Sequence, residues 1–130
     1  MTLLIDTNVY LWYDSKDSRL SSRVFTEIEN PSNTILVSVV SIWEIAILAN
    51  LGRIKLKSTI DGAVKVMRTN YHFNILPLKN SHCNYYASLP RIANHKNPFD
   101  RIIISQAITE KIKLAANDQF IPNYPVDLFW

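Results

Sequence analysis

Glycine and cysteine are scarce in this chain of 130 residues, and each shortage excludes a class of function. With only two glycines, the sequence contains neither G-x-G-x-x-G nor G-x-x-x-x-G-K-[ST], so the usual dinucleotide and P-loop sites are excluded. Cys83 is the only cysteine, which rules out a disulfide within the chain and gives no sign of an oxidising compartment.

Long apolar runs and a secretory leader are also missing. No stretch approaches the roughly 18 uninterrupted apolar residues that a membrane span requires. Residues 1–9 contain an acid, Asp6, and no lysine or arginine, unlike a signal peptide. We therefore expect a cytoplasmic protein that has no contact with a membrane.

What the chain does contain is an ordinary globular composition with a basic excess. Hydrophobic residues make up 48% and charged residues 19%, and the length predicts one domain over residues 1–130. The net charge is +3, but without four acids discussed below, 14 basic residues face seven acidic ones. Acids inside a basic surround suit a polyanionic substrate that is cut at a metal, although +3 is also normal for a soluble domain.

Apolar strand-like runs alternate with helix-like segments along the whole chain. The pattern predicts strands at 2–5, 34–37, 72–76, 113–116 and 126–129, the last at a sheet edge. Helices are predicted around 9–13 and over 20–30, 39–51, 59–70, 81–89 and 97–112. This order predicts an α/β fold of three layers, with helices on both faces of a mostly parallel sheet and ligands at the carboxyl ends of its strands.

Two of the four acids follow predicted strands. Asp6 ends the first apolar run, and Asp118 follows Leu114-Ala115-Ala116-Asn117. Both should therefore lie along one edge of the sheet. A structural alternative stays open for each, because aspartate at such a point also serves as a helix N-cap or a turn residue.

The other two acids lie in predicted helices. The helix of Glu44 is apolar nearly all round, so we expect it to be buried, and a buried carboxylate needs a partner or a metal. The alternative is a position at the rim that faces water. Asp100 is the third helical residue if Pro98 is the first, where the helix dipole alone would favour an acid.

All four acids can reach the same edge of the sheet. Clustered carboxylates repel each other unless a cation joins them, and Mg²⁺ prefers oxygen ligands. The sequence therefore predicts one divalent-metal site that lowers the pKa of a bound water and stabilises charge on a phosphate.

Four motifs together resemble one known family. They are Leu4-Ile5-Asp6-Thr7-Asn8, then Ser38 and Ser41-x-Trp43-Glu44-Ile45, then Asn97-Pro98-Phe99-Asp100-Arg101, then Leu114, Asp118 and Phe120. In this order and spacing they resemble the PIN domain family, and within it the VapC-type toxins of bacterial toxin–antitoxin pairs. The resemblance extends over essentially the whole chain, from Leu3 to the final residues.

The resemblance implies a PIN-like, Rossmann-like fold and an endoribonuclease dependent on Mg²⁺ or Mn²⁺. It also implies a VapB-type antitoxin, a homodimer, an RNA substrate, and contact with operator DNA only through the antitoxin. By position, Asp6 and Asp100 are implied as direct metal ligands, Asp118 completes the cluster, and Glu44 binds directly or through water.

One position departs from the family pattern. Many relatives carry threonine or serine two residues before the last acid, where this chain has Ala116. A hydroxyl that would support the metal's water shell is missing unless Thr7 or Asn117 substitutes for it.

Weaker assignments concern the substrate. Thr7 and Asn8 either orient waters on the metal or only cap the first helix, and Arg101 either holds a phosphate or forms a structural ion pair. Asn117 is a further candidate beside the last acid. Basic residues that either line an RNA path or form a solvated face are Arg53, Lys55, Lys57, Arg91, His95 and Lys96.

Two other functions remain as alternatives. A phosphatase of the haloacid-dehalogenase type also opens with a strand and an aspartate, but it requires a second aspartate two residues later, where this chain has Asn8. A catalytically weak binding module, acting through an antitoxin and DNA, is the other, and Ala116 is the only feature that favours it.

Overall fold

Strands and helices alternate as the pattern predicts. The computed structural model describes residues 1–130. Its strands are β1 (Thr2–Ile5), β2 (Thr34–Ser38), β3 (Asn74–Leu76), β4 (Lys113–Ala115) and β5 (Leu128–Phe129). Its helices are α1 (Thr7–Ser15), α2 (Ser22–Glu29), α3 (Val39–Asn50), α4 (Ile60–Thr69), α5 (Asn80–Ala87) and α6 (Pro98–Glu110), and a 3₁₀ turn covers Ile121–Asn123.

The five strands form one parallel sheet in the order β3-β2-β1-β4-β5. The chain runs outward from β1 to β2 and β3, then returns to the other side of β1 to add β4 and β5. The strand order thus reverses between β1 and β4, which is where sheets of this kind bind ligands. The predicted α/β/α class with a parallel sheet is confirmed, and β5 lies at an edge as expected.

The core consists of two layers, one on each face of the sheet. In β1, Leu3 and Ile5 pack on the face covered by α1, α2 and α4, whereas Leu4 packs on the face covered by α5 and α6. This alternation follows from the two-residue period of a strand, and burial on both faces explains the uninterrupted apolar run.

Backbone conformation accounts for two of the differences from the predicted boundaries. The third strand begins at Asn74 rather than residue 72, because His72 has a positive φ of 59°. Helix α6 ends at Glu110, two residues early, because Lys111 takes the left-handed conformation and its N–H bonds back to the helix.

Helix α3 differs most from its prediction, because it is not buried all round. Only Val40, Ser41 and Ile45 are buried, whereas Val39 is 39% and Trp43 62% exposed. Glu44 is half-buried, so it is closer to the alternative of a rim position that faces water than to the expected fully buried position. No helix of the structure, α3 included, has both the length and the apolar character needed to cross a membrane.

Candidate metal centre

Four separate elements deliver the four acids to the carboxyl edge of the sheet. Asp6 directly follows β1, and its N–H donates to the carbonyl of Ala115 in the neighbouring strand β4 at 3.1 Å. Asp118 lies three residues after β4. Glu44 lies in the second turn of α3, and Asp100 lies in the first turn of α6, which packs against α3.

Asp6 is the most deeply buried of these acids, with 7% of its surface exposed. It caps α1, because its Oδ1 accepts the N–H of Val9 at 2.8 Å. The pKa of Asp6 is raised from 3.8 to about 7, mainly by burial and also by the negative charges of Asp100, Glu44 and Asp118, while the hydrogen bond from Val9 opposes the rise. The capping role foreseen as an alternative is therefore real, but Asp6 also faces three other carboxylates.

Glu44 is linked to two hydroxyl groups at the bottom of the site. The buried Thr7 hydroxyl donates to the Ser41 hydroxyl at 2.9 Å. The Thr7 side chain also lies close enough to the Glu44 carboxylate to lower its pKa. Burial raises the pKa of Glu44, and the charge of Asp100 adds to this, while Thr7 opposes it.

Asp100 and Asp118 meet a third ligand-type side chain, His95. One ligand atom from each of these three residues lies within 4.8 Å of the other two. Asp118 also stabilises its own loop, because its Oδ1 accepts the N–H of Phe120 at 2.7 Å. Burial raises the pKa of Asp100, a hydrogen bond from His95 lowers it, and the charge of Asp118 raises it.

The sequence did not identify this role of His95, which it placed on a basic surface. The residue is 5% exposed, and its ring stacks on Phe120 at 4.9 Å between centroids. Its Nδ1 lies 2.6 Å from the hydroxyl of Tyr124 and its Nε2 lies 3.4 Å from Oδ2 of Asp100. No periodicity in the loop from 88 to 97 marks the position, and the only signal was its spacing of five residues before Asp100.

No lysine or arginine neutralises the cluster. The ion pairs of the structure that involve these bases join Arg19 to Asp17, Lys79 to Glu110 and Lys113 to Asp127, all away from the four acids. Converging carboxylates without a cationic partner are stable only when protonated or bound to a metal. The donor set, carboxylate oxygens supported by hydroxyls, fits a hard divalent cation such as Mg²⁺ or Mn²⁺.

The weaker substrate candidates lie at different places. Thr7 is at the bottom of the site, and Asn117 is exposed beside Asp118, whereas Asn8 lines a groove on another side of α1. The guanidinium of Arg101 bonds to the carbonyl of Pro90 at 3.1 Å and to the Tyr124 hydroxyl at 2.9 Å. Arg101 therefore forms no ion pair, neither with the four acids nor with another carboxylate, so the structural ion pair expected as the alternative is wrong.

The family model of the PIN domain matches the chain over residues 3–126. No curated protein matches the chain by sequence.

Solved structures match over nearly the full length of both chains. The VapBC2 complex of Rickettsia felis bound to a promoter DNA fragment shares 20% identity and a TM-score of 0.70, covering 100% of this chain and 99% of that one. A toxin–antitoxin complex from Klebsiella pneumoniae shares 20% identity at a TM-score of 0.64, with 98% and 96% covered. VapBC-1 of nontypeable Haemophilus influenzae shares 15% identity at a TM-score of 0.62, with 99% and 97% covered. At these identities the likeness establishes the fold.

Proposed function

The chain belongs to the PIN domain family, and from that premise we propose that it is a VapC-type endoribonuclease, dependent on Mg²⁺ or Mn²⁺, and the toxin of a type II toxin–antitoxin pair. The observation that carries the proposal is that Asp6 lies close enough to Glu44, Asp100 and Asp118 for their charges to raise its pKa, with no lysine or arginine in an ion pair with any of the four acids. The fold alone would not carry it, because one fold hosts many activities.

Asp6, Asp100 and Asp118 would hold the cation, and Glu44 would bind it directly or through water. When bound, the cation lowers the pKa of a water and neutralises charge on the phosphate under attack. The chain's own contribution is to fix the carboxylates in advance. Asp6 is fixed by its cap on α1, Asp118 by its bond to the Phe120 N–H, and Glu44 by Thr7.

An RNA strand would reach the centre across a basic surface. Arg91 and Lys96 are exposed in the loop that precedes Asp100. Positive side chains contact phosphates, so this surface suits an RNA strand.

A groove lined by none of the four acids would suit an antitoxin. A cavity of about 480 Å³ lies between α1, α4 and the segment 54–59, away from the acids. Its floor is apolar, with Leu11, Ile45 and Val66, and Arg19, Lys55 and Lys57 surround it. We assign this groove to the VapB-type antitoxin, as a segment with apolar side chains flanked by acids. Contact with operator DNA would then come through the antitoxin.

A homodimer is supported by the exposed apolar face of α3. Val39, Trp43 and Leu51 recur at four- or eight-residue spacing along this helix and its C-cap, and they are 39%, 62% and 60% exposed. Large apolar side chains aligned on one face are a common sign of a protein interface. A second copy of this chain would cover them.

The alternative is a catalytically weak module that acts only through an antitoxin and DNA. The buried Ala116, which lacks the hydroxyl of many relatives, is the observation that favours it.

Incubation of the chain with total RNA, with and without Mg²⁺ or Mn²⁺, separates the two functions. We expect metal-dependent cuts with 5′-phosphate ends that are lost in Asp100→Asn and kept in Asp127→Asn, a control at an exposed acid paired with Lys113. Equal RNA profiles with and without metal would favour the binding module.

The toxin role is tested in cells. We expect growth arrest when the chain is expressed in bacteria, and relief by a small antitoxin encoded beside it. Harmless expression of the folded wild-type chain would contradict the toxin role while leaving the nuclease assay to judge the chemistry.

A further inference from the structure

A line of polar contacts leads from Arg101 through Tyr124 and His95 to the carboxylate of Asp100. Nη1 of Arg101 lies 2.9 Å from the Tyr124 hydroxyl, which lies 2.6 Å from Nδ1 of His95. Nε2 of His95 lies 3.4 Å from Oδ2 of Asp100. Tyr124 and His95 are 4% and 5% exposed, so water does not replace these contacts.

The direction of each hydrogen bond follows from the groups involved. A guanidinium only donates, so the Tyr124 oxygen accepts from Arg101. The buried Tyr124 hydroxyl then has its own hydrogen to place, and the only acceptor in contact with it is Nδ1 of His95. If Nδ1 carried a proton instead, the Tyr124 hydrogen would have no partner, which is costly in a buried position. Nδ1 therefore accepts.

A neutral imidazole that accepts at Nδ1 carries its proton at Nε2. His95 then donates from Nε2 to Oδ2 of Asp100 and has no lone pair there to offer a metal. Oδ1 of Asp100 receives no hydrogen bond from the protein. The ring itself is fixed by stacking on Phe120, with 17° between the planes.

We propose that His95 is a positioning residue, which holds one oxygen of Asp100 through Nε2–H and leaves the other oxygen for the divalent cation. The proposal rests on the proposed function, because it presumes that Asp100 is a metal ligand. Under this proposal every protein ligand of the metal is an oxygen atom. His95 is not a ligand, even though one of its ring nitrogens lies within 4.8 Å of carboxylate oxygens of Asp100 and Asp118. The 3.4 Å separation is long for a hydrogen bond, and such bonds often shorten when a site is loaded.

The test combines Mn²⁺ binding with the protonation state of the ring, and neither readout requires RNA cleavage. Wild type, His95→Leu, His95→Gln and Tyr124→Phe are titrated with Mn²⁺ by calorimetry. Partners that orient metal ligands typically contribute about 10–100-fold to affinity, so we expect His95→Leu to weaken binding by that factor. His95→Gln, whose amide keeps a donor, should recover most of the affinity.

Two-bond ¹H–¹⁵N correlation spectra of the metal-free chain report the tautomer. We expect His95 in the Nε2–H form in the wild type and a shift toward the Nδ1–H form in Tyr124→Phe, which loses the hydroxyl donor. The Nε2 proton should persist when diamagnetic Mg²⁺ is added.

Ile121→Val controls for lost packing, because Ile121 is a buried core residue near Tyr124. Wild-type affinity in His95→Leu, or an equal loss in Ile121→Val, would overturn the positioning role. Loss of the Nε2 proton on Mg²⁺ binding would also overturn it, because His95 would then be a ligand. Equal Mn²⁺ affinity in wild type and Asp100→Asn would instead overturn the metal centre itself, so the two failures can be told apart.

Discussion

The N–H of Asp6 donates to the carbonyl of Ala115 at 3.1 Å, and this bond attaches the first acid of the site to the strand that carries the last. Asp118 follows Ala115 by three residues, so two of the four carboxylates lie just past the ends of neighbouring strands of one sheet. Sites built on rigid elements keep their geometry without the ligand present. The repulsion between these acids is therefore built into the folded chain, and it affects both stability and activity.

Replacement of Asp6 by asparagine should abolish RNA cleavage while it stabilises the metal-free protein. Asparagine caps a helix about as well as aspartate, so the bond to Val9 can be kept. The change removes a buried charge that faces three other acids. We expect a loss of cleavage of about 100-fold or more and a melting temperature several degrees higher at pH 8 in EDTA, measured by scanning calorimetry.

A control for this first prediction is Asp17→Asn, at an acid whose pKa is lowered to about 2 by Arg19. This variant should gain no stability and lose no cleavage. A lower melting temperature in Asp6→Asn would mean that the carboxylate stabilises the fold, against our account of the site.

The stability of the metal-free protein should fall as the pH rises from 4 to 7. Asp6 has a pKa of about 7 in the folded chain and an ordinary pKa of 3.8 in the unfolded chain, so below pH 3.8 both states are mostly protonated and the contribution to stability is complete. Between these values the unfolded chain ionises while the folded chain keeps its proton, and the stability is lost as the pH passes 7. Raised pKa values of Glu44 and Asp100 act in the same direction.

The measurement is the free energy of unfolding in EDTA against pH, for wild type and Asp6→Asn. The difference between them should widen across pH 4–7 by an amount on the order of a few kcal/mol. Groups that do not interact with Asp6 titrate alike in both proteins and cancel in this difference. A gap that stays constant with pH would show that the Asp6 carboxylate is not destabilised by folding.

The hydroxyl of Thr7 should take the role that Ala116 cannot perform. Thr7→Val keeps the shape of the side chain but leaves the Ser41 hydroxyl and the Glu44 carboxylate without their shared partner. We expect Mn²⁺ affinity to fall about tenfold, in the range for groups that support a metal ligand, and stability to fall by about 1–3 kcal/mol.

Thr7→Ser is the matched variant, because it keeps the hydroxyl and loses only a methyl group. It should bind Mn²⁺ nearly as well as the wild type. Equal affinity in Thr7→Val and Thr7→Ser would assign Thr7 to packing alone.

The alternation of strands with helices, the parallel sheet and the placement of Asp6 and Asp118 after strands were predictable from the sequence because they depend on local patterns. The apolar run before Asp6 and the alternation of strands with helices required only the periods of the two structures and the rule for parallel sheets. The capping of α1 by Asp6 and of α3 by Ser38 was likewise local.

The polar support of the site was not predictable in this way. Tyr124 lies 29 residues from His95, and Ser41 lies 34 residues from Thr7, so only tertiary packing joins them. The exposed face of α3 was missed for a related reason. A helix that is apolar all round is normally buried, but this helix leaves Trp43 uncovered in the single chain.

That uncovered face leads to the last prediction, which concerns the oligomeric state. Trp43→Gln removes the largest exposed apolar side chain of α3, where 62% of its surface is accessible, at little expected cost to the fold. If a second copy covers this face, the variant should shift toward monomer, with a dissociation constant at least tenfold higher by sedimentation equilibrium, because large aromatic anchors dominate interface energies. Phe25→Gln is the control, because Phe25 is also exposed at 47% but lies on α2. A wild-type chain that sediments as a monomer at high concentration would contradict a homodimer. A Trp43→Gln variant that dimerises as strongly as Phe25→Gln would contradict an interface on α3.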